Sequence, residues 1–459
     1  MASIDKTTDA IEQRVYLTCP AKWFDHDSRP HGFEFLQGRI RIMLSLPDEG
    51  WSVLGDPTGQ WSLCIPGAKP APPTATEVVQ LLFTQRSALD AFFIKLRDFA
   101  DDADAPRAGA DPVMTTADYW CPITGNETFL DRASALQQIG AVAIQDLRGA
   151  GVNVVIVDRG VNKDDVVPPA KFGGGWCYTA NVAGAATVLP GSAQGEQAEH
   201  SGMLIRNILA IAPEVMIFDM PLIPPNIGDI PSFLAGAQAA FQQMWSDIAS
   251  MRADPRWRGP WLLVNAWATF DLRSDLPPGD PGRYADDPAH PFHTVIEGLA
   301  GDGQDLVFCA GNCGQWCPDD RCGPGDIGFG RSISGANAYA EVLSVGAVRV
   351  DGLPLGYSSQ GPGMIAADKP DLCAPANFAD DHDPGRINAG TSAACAVAAG
   401  VVAALRSPSP TAPMAAVTPA ALITALKKGA GHAACDAQLG FGILDASATR
   451  GVLGIPPRI

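Results

Sequence analysis

Basic residues are scarce in this chain of 459 residues. Lys and Arg number 32 against 50 Asp and Glu, which gives a formal net charge of −18, and the basic residues form no run. Because nucleic-acid binding needs clustered Lys and Arg, we expect no nucleic-acid partner. No uninterrupted apolar stretch reaches the roughly 18 residues of a membrane-spanning helix. We therefore expect no membrane partner.

A signal peptide and a regular cysteine framework are also lacking. The first 17 residues, MASIDKTTDAIEQRVYL, hold no apolar core of signal-peptide length. The 11 cysteines are odd in number and are scattered from Cys19 to Cys435. These features favour a reduced, cytoplasmic protein with free thiols. A secreted protein whose leader has been removed is the alternative.

The first part of the chain differs in character from the rest. Alternating apolar residues in RIRIMLSLP, residues 39–47, predict a strand, and residues 74–100 have the apolar spacing and capping box of a helix. Residues 101–118 are acidic, rich in Ala, Pro and Gly, and unpatterned, which predicts a linker. We expect a small α+β domain over 1–118 and a larger domain over 119–459.

The larger domain repeats one pattern, in which an apolar strand is followed by a glycine-rich turn and a helix. The strands are continuous apolar runs at 152–158, 215–220, 261–267, 305–311 and 342–348. Such runs are typical of parallel strands that helices cover on both faces. The pattern predicts an α/β fold with a central, mostly parallel sheet, whose sites lie at the carboxyl ends of the strands.

Four polar residues stand at positions suited to one site. Asp158 ends a strand, Asn312 follows another, and His200 and Ser392 open helices. A serine becomes a nucleophile when a histidine takes its proton, a carboxylate orients that histidine, and an amide can donate to the oxyanion. Singly, these residues are also common as helix caps and turn formers. Together they predict a catalytic triad of Asp158, His200 and Ser392, with Asn312 in the oxyanion hole.

From about residue 130 the chain resembles the subtilases, the subtilisin-like serine proteases. Six segments carry the resemblance in order: GAGVNVVIVDRGVN, EHSGMLIRNILAIAPEV, FCAGNCG, VLSVGAVRVDGLPLGYSSQGP, KPDLCAP and GTSAACAVAAGVVAAL. The resemblance implies a subtilisin-like three-layer sandwich and a serine endopeptidase that cleaves protein or peptide substrates through an acyl-enzyme. It implies substrate-binding roles for Asn265, Ala266, Trp267 and Gly311.

Several positions depart from the family pattern. Arg159 stands where Thr or Ser is usual, and Ser201 follows His200 where the family has Gly. At the substrate-pairing edge, Trp267 and Thr269 replace Ser and Gly. We therefore expect an active hydrolase with an unusual cleft. The alternatives are a non-catalytic relative that binds peptides, and a peptide ligase or macrocyclase that uses the same acyl-enzyme.

No cofactor or metal is predicted. Cys313, Cys317 and Cys322 are close together but match no structural zinc pattern, so we expect reduced or locally paired thiols. The acidic stretch VNKDDVV, residues 161–167, leaves calcium open, because many subtilases bind it, although its spacing fits no calcium loop. The histidines other than His200, among them His290 and His293, are expected to be solvated or core residues.

Two roles remain for residues 1–118. They are either a pro-domain that is removed, with DAPRAGADP at 104–112 as an accessible cleavage site, or a retained module through which a regulatory protein partner acts.

Overall fold

The computed structural model describes residues 9–20, 32–55, 60–71, 76–99, 105–112, 114–116, 128–168, 171–180, 185–222, 233–381, 386–407 and 416–456. Its strands are β1 Ala10–Pro20, β2 Trp51–Gly55, β3 Gln60–Leu63, β4 Thr76–Gln85, β5 Arg107–Ala110, β6 Thr115–Thr116, β7 Asn153–Asp158, β8 Phe172–Thr179, β9 Thr187–Val188, β10 Met216–Pro221, β11 Trp261–Asn265, β12 Trp267–Ala268, β13 Asp305–Cys309, β14 Leu343–Val348, β15 Leu372–Pro375, β16 Phe378–Ala379, β17 Ile387–Asn388, β18 Gly431–Asp436 and β19 Gly440–Gly442. Its helices are α1 Gly32–Leu44, α2 Arg86–Arg97, α3 Arg132–Gln138, α4 Glu196–Ile211, α5 Phe233–Met251, α6 Pro291–Gly301, α7 Gly390–Leu405, α8 Pro419–Ala430 and α9 Ala446–Val452. Among these helices, none has both the length and the apolarity needed to cross a bilayer.

A large sheet organises the second part of the chain. Its strands lie in the order β18-β19-β15-β14-β13-β11-β7-β10-β8-β3, and β9 also pairs with β8. The neighbours from β15 to β8 are parallel, whereas the strands at the two ends pair antiparallel. The five predicted apolar runs become β7, β10, β11 with β12, β13 and β14. The predicted α/β fold with a mostly parallel central sheet is therefore confirmed.

Side chains of this sheet alternate between two hydrophobic cores. In β7, Val155 and Val157 belong to the core that includes α5 and α6, whereas Val154 and Ile156 belong to the core that includes α4 and α7. Every residue of β7 is buried. Helices therefore cover both faces of the sheet, which is why its strands read as continuous apolar runs.

The N-terminal part is α+β as predicted, but its elements fall elsewhere. Strands β2, β4, β1 and β5 form a separate antiparallel sheet. The predicted strand at 39–47 lies instead mostly in helix α1, where Ile40 is fully buried and Ile42 is 76% exposed. The predicted helix at 74–100 is strand β4 followed by α2. Short apolar runs fit either structure, and here pairing between β4 and β1 favours the strand.

The predicted linker at 101–118 is wrong over most of its described residues. β5 pairs with β1, and β6 pairs antiparallel with β12. Asp111 is buried, and its Oδ1 accepts hydrogen bonds from the backbone N–H groups of Leu234 at 2.9 Å and Ala235 at 3.3 Å. Because these residues are paired or buried, the stretch around them is not the accessible cleavage site that was expected. Residues 101–104, 113, 117 and 118 lie outside the described residues.

Strand β3 and a disulfide join the N-terminal part to the large sheet. β3 pairs antiparallel with β8, and Cys64 is bonded to Cys177. A second disulfide links Cys313 to Cys322, and Cys317 is also disulfide-bonded. Free thiols were therefore wrongly predicted for these five cysteines, and local pairing was the correct alternative for Cys313 and Cys322.

Candidate active site

Asp158 and His200 meet at the carboxyl end of β7. The Nδ1 atom of His200 lies 2.6 Å from Oδ2 of Asp158, and the backbone N–H of Arg159 donates to Oδ1 of Asp158 at 2.8 Å. Both side chains are buried. Because a carboxylate only accepts, Nδ1 carries the proton of this bond, and Nε2 is the nitrogen that could take a proton from a nucleophile.

Ser201 explains one departure from the family pattern. Its hydroxyl donates to the carbonyl oxygen of Gly160 at 2.6 Å, and the Gln197 side chain donates to the carbonyl oxygen of Arg159 at 2.9 Å. Both bonds tie the first turns of α4 to the loop that follows Asp158. The hydroxyl of Ser201 thus helps to hold His200 against its carboxylate.

Ser392 lies in the first turn of a helix that is buried along its whole length. The residue that caps α7 is Ala389, so Ser392 is not the helix cap that its position alone suggested. Its Oγ is buried and has no hydrogen-bond partner among the described residues. Gly390, with φ of +76°, makes the turn before it, a conformation that L side chains rarely adopt.

Small side chains allow α7 to lie close to α4. A Cβ added at Gly400 would come within 3.0 Å of the Ile211 side chain and 3.3 Å of the Ile208 backbone. This close approach places the helix that carries Ser392 directly against the helix that carries His200. The run of Ala, Val and Gly after Ser392 is therefore a packing requirement.

Asn312 is held by the residue before Ser392. Its Oδ1 accepts from the backbone N–H of Thr391 at 3.0 Å and from the Thr391 hydroxyl at 2.8 Å. The same hydroxyl accepts from the backbone N–H of Gly311 at 3.2 Å. Since the amide oxygen faces Thr391, the Nδ2 group is the donor end of the side chain, which is the end an oxyanion hole uses.

Of the four predicted substrate-binding residues, Asn265, Ala266 and Trp267 turn their side chains into the protein. Asn265 and Trp267 are fully buried, and the indole N–H of Trp267 donates to Oδ1 of Asn265 at 3.2 Å. The Trp267 ring packs against Phe292 and Phe308. Ala266 is 1% exposed. At Trp267 only the backbone lies at the strand edge, and it is paired there with Thr116.

Two buried groups near the site have shifted pKa values. Burial raises the pKa of Asp219 to about 7, against the hydrogen bonds that its Oδ2 accepts from the backbone N–H groups of Gly191 and Val161. Burial also raises the pKa of the Cys395 thiol well above its usual range. The Cys395 thiol is therefore kept protonated, as expected for a packed helix residue rather than a second nucleophile.

No side chain of the acidic stretch considered for calcium belongs to a set of three close ligand groups in the described part of the chain. Asp164 and Asp165 lie in a short 3-10 turn. In the described part of the chain, the one set of three side chains with suitable ligand atoms is His293, Glu297 and Glu341, which lies elsewhere.

Sequence reasoning missed two residues that shape this region. Thr391 orients Asn312, and its place between Gly390 and Ser392 was a usable signal. Asn337 donates through Nδ2 to the carbonyl oxygens of Trp267 at 2.9 Å and Cys309 at 2.7 Å, and so links the substrate-pairing edge to β13. The partners of Asn337 are distant in the sequence, so no local sequence pattern could predict this role.

Comparison with known proteins gives a family match for part of the chain. Residues 264–442 match the model of the Subtilase family, which confirms the predicted resemblance over that part of the chain. The match includes Asn312 and Ser392, whereas Asp158 and His200 precede it. The family supports a serine-type peptidase. A search of curated proteins finds no match.

The chain is also similar to solved structures of MycP1. MycP1 from the ESX-1 type VII secretion system is 19% identical, with 74% of this chain and 91% of that chain covered and a TM-score of 0.46. MycP1 from Mycobacterium smegmatis is 19% identical, with 74% and 90% covered and a TM-score of 0.46. MycP1 with the N-terminal propeptide removed is 19% identical, with 69% and 96% covered and a TM-score of 0.42.

Proposed function

We propose that the protein is a serine endopeptidase that acts on protein or peptide substrates. His200, oriented by Asp158, takes the proton of Ser392 through Nε2, and Ser392 Oγ attacks the peptide carbonyl. The Asn312 amide donates to the oxyanion. His200 then protonates the leaving amine, and water releases the acyl-enzyme. The observation that carries this proposal is the buried 2.6 Å contact between Asp158 and His200 on the helix that packs against the Ser392 helix.

Reaction with a fluorophosphonate tests the nucleophile directly. We expect one adduct per chain by intact mass, located on Ser392, and none in Ser392→Ala. Ser250→Ala, which changes an exposed serine in α5, is the matched control and should be labelled like the wild type. Equal labelling of Ser392→Ala would refute the assignment. A wild type that is never labelled would favour a peptide-binding relative.

The ligase alternative differs from hydrolysis at the second step. Both functions form the acyl-enzyme, so labelling does not separate them. Incubation with a peptide ester and an added amine nucleophile does, because a ligase yields mainly the amide product. We expect mainly the free acid.

We further propose that the N-terminal module regulates access to the cleft. β6 pairs antiparallel with β12, the edge that the resemblance assigns to substrate pairing. Met114, next to β6, is buried, and its sulfur accepts from the Thr269 hydroxyl at 2.9 Å. Proteases and other peptide binders hold extended peptides by adding them as strands to such an edge. Residues 114–116 would therefore compete with a substrate for this strand position.

A proline at the edge strand tests this competition. Thr116→Pro removes a backbone N–H and disfavours the β6 pairing. We expect a lower KM for peptide substrates, while Thr116→Val, which keeps the N–H, should leave KM near that of the wild type. An unchanged or raised KM in Thr116→Pro would show that this segment does not compete with the substrate.

Retention of the module is favoured over removal. β3 forms part of the large sheet, Asp111 binds the start of α5, and Cys64–Cys177 would hold the module in place even after a cut in the intervening chain. Intact masses of wild type and Ser392→Ala after long incubation, with and without reductant, test this. Loss of a fragment of about 100 residues from wild type alone, with a gain in activity, would support a pro-domain.

The disulfides favour an oxidising compartment over the predicted cytoplasm, because structural disulfides are rare where thiols are kept reduced. Alkylation of the unfolded protein tests the pairing. We expect Cys64, Cys177, Cys313, Cys317 and Cys322 to be alkylated only after reduction. Alkylation of these residues without reduction would restore the cytoplasmic proposal.

A further inference from the structure

His293, Glu297 and Glu341 converge at a place remote in sequence from the triad. His293 and Glu297 lie one turn apart on α6, and Glu341 lies in the turn before β14. The Nε2 atom of His293 is 3.0 Å from a carboxylate oxygen of Glu341 and 3.6 Å from one of Glu297. All three ligand atoms lie within 4.8 Å of one another.

Two residues outside the cluster, Pro288 and Tyr339, orient the His293 ring. Its Nδ1 lies 2.5 Å from the carbonyl oxygen of Pro288, so Nδ1 carries a proton and donates it there. The ring also packs against Tyr339, with 4.3 Å between the centroids. A histidine that binds a metal usually donates its other ring N–H to a carbonyl or carboxylate in this way. The nitrogen that faces both glutamates is thus the one that can coordinate.

The spacing of the ligand atoms fits a small tetrahedral ion. Ligands bound about 2.0–2.1 Å from zinc in tetrahedral geometry lie about 3.3–3.4 Å from each other. The two measured separations from Nε2 bracket that value. One imidazole and two carboxylates suit zinc-class ions, whereas calcium prefers oxygen ligands alone.

The cluster is accessible on one side. The His293 side chain is 12% exposed, that of Glu341 29% and that of Glu297 53%. Both glutamates line a cavity of about 710 Å³ that opens beside α6. This leaves room for a water molecule as the fourth ligand, as in zinc sites with three protein ligands.

We propose that His293, Glu297 and Glu341 form a binding site for a first-row divalent transition-metal ion of the zinc class. The ion takes the place of the proton on His293 Nε2. It joins α6, which carries His293 and Glu297, to the turn before β14, which carries Glu341. That turn follows the segment that holds Asn337, whose amide binds the Trp267 and Cys309 carbonyls. A bound ion would therefore connect α6 to a turn that lies close in the chain to Asn337 and its link between the substrate-pairing edge and β13.

Equilibrium dialysis of the full chain against zinc chloride at pH 7.5 tests the site. We expect one ion per chain. Binding should be at least about 100-fold weaker in His293→Ala and in Glu341→Gln, since removing a ligand costs at least as much as removing its support. His432→Ala, which changes an exposed histidine in β18, is the matched control and should bind as the wild type does.

Cobalt provides a second readout. The wild type loaded with Co²⁺ should show the visible absorption of a tetrahedral nitrogen and oxygen site, and Glu341→Gln should lose it while keeping the wild-type far-UV circular dichroism. Zinc binding that survives both His293→Ala and Glu341→Gln would overturn the proposal. So would a wild type without saturable binding, because the cluster would then be an ion pair only.

Discussion

Thr391 offers a sharp test of how the proposed oxyanion hole is built. Its fully buried hydroxyl donates to Asn312 Oδ1 and accepts from the backbone N–H of Gly311. Thr391→Val keeps the volume and the backbone but removes both bonds. Each lost hydrogen bond costs about 1 kcal/mol, and the unpaired Gly311 N–H costs about 1–3 kcal/mol. Because these terms overlap, we expect the free energy of unfolding to fall by about 2–4 kcal/mol.

The same change should lower turnover. Removing an oxyanion donor costs about 100- to 1000-fold in kcat. Thr391→Val leaves the Asn312 donor present and, of the two contacts that the Asn312 oxygen makes with Thr391, keeps the 3.0 Å contact with the backbone N–H. We therefore expect a smaller loss, about 10- to 100-fold in kcat with little change in KM. Unfolding in guanidinium chloride and steady-state hydrolysis of a peptide substrate measure the two effects.

Two comparisons make this reasoning refutable. Thr391→Ser keeps the hydroxyl and should retain most of the wild-type turnover. In an Asn312→Ala background, Thr391→Val should lower kcat little further, because the two residues act through one interaction. If the losses in kcat of the two single variants were fully additive in the double variant, Thr391 would not orient Asn312. A stable Thr391→Val variant with wild-type kcat would show the same.

Three further outcomes are expected. Asn312→Ala should cost about 3–4 kcal/mol of transition-state stabilisation at nearly unchanged KM, and a large rise in KM at constant kcat would mark a binding residue instead. The pKa of Asp219 is raised to about 7 in the folded state, whereas in the unfolded state the carboxyl group loses its proton near pH 4. Between these pH values the folded state binds the proton more tightly, so the contribution of Asp219 to stability should fall as pH rises from 4 to 7. Asp219→Asn should therefore gain stability relative to wild type by up to about 4 kcal/mol between those pH values, and parallel pH profiles of unfolding would contradict the assignment. Gly390→Ala should lose about 1–2 kcal/mol of stability through its positive φ and also displace Ser392, so unchanged turnover would show that the turn is not needed.

Much of the fold of the larger domain, predicted over 119–459, could be predicted from the sequence. Continuous apolar runs report burial on both faces, and this is a local property of each strand. The runs at 152–158 and 305–311 therefore predicted β7 and β13 and placed Asp158 and Asn312 at the carboxyl end of the sheet. The order of polar residues suggested one site, and the structure brings Asp158 and His200 into contact.

The N-terminal elements were decided by packing. The run at 39–47 alternates as a strand would, yet α1 buries Ile40 and leaves Ile42 exposed. Residues 76–85 have helical spacing, yet they pair with β1. Short apolar segments carry little intrinsic preference, so the partner that covers them selects helix or strand.

Contacts between distant residues were decided by tertiary structure alone. The sequence determined which side chains could do chemistry and at which strand ends they stand. It did not determine that Trp267 turns into the core, that β6 covers the edge of β12, that Cys64 bonds Cys177, or that His293 meets Glu341. Each depends on how separate elements dock, and docking is set by packing and hydrogen bonds across the whole molecule, which no local pattern records.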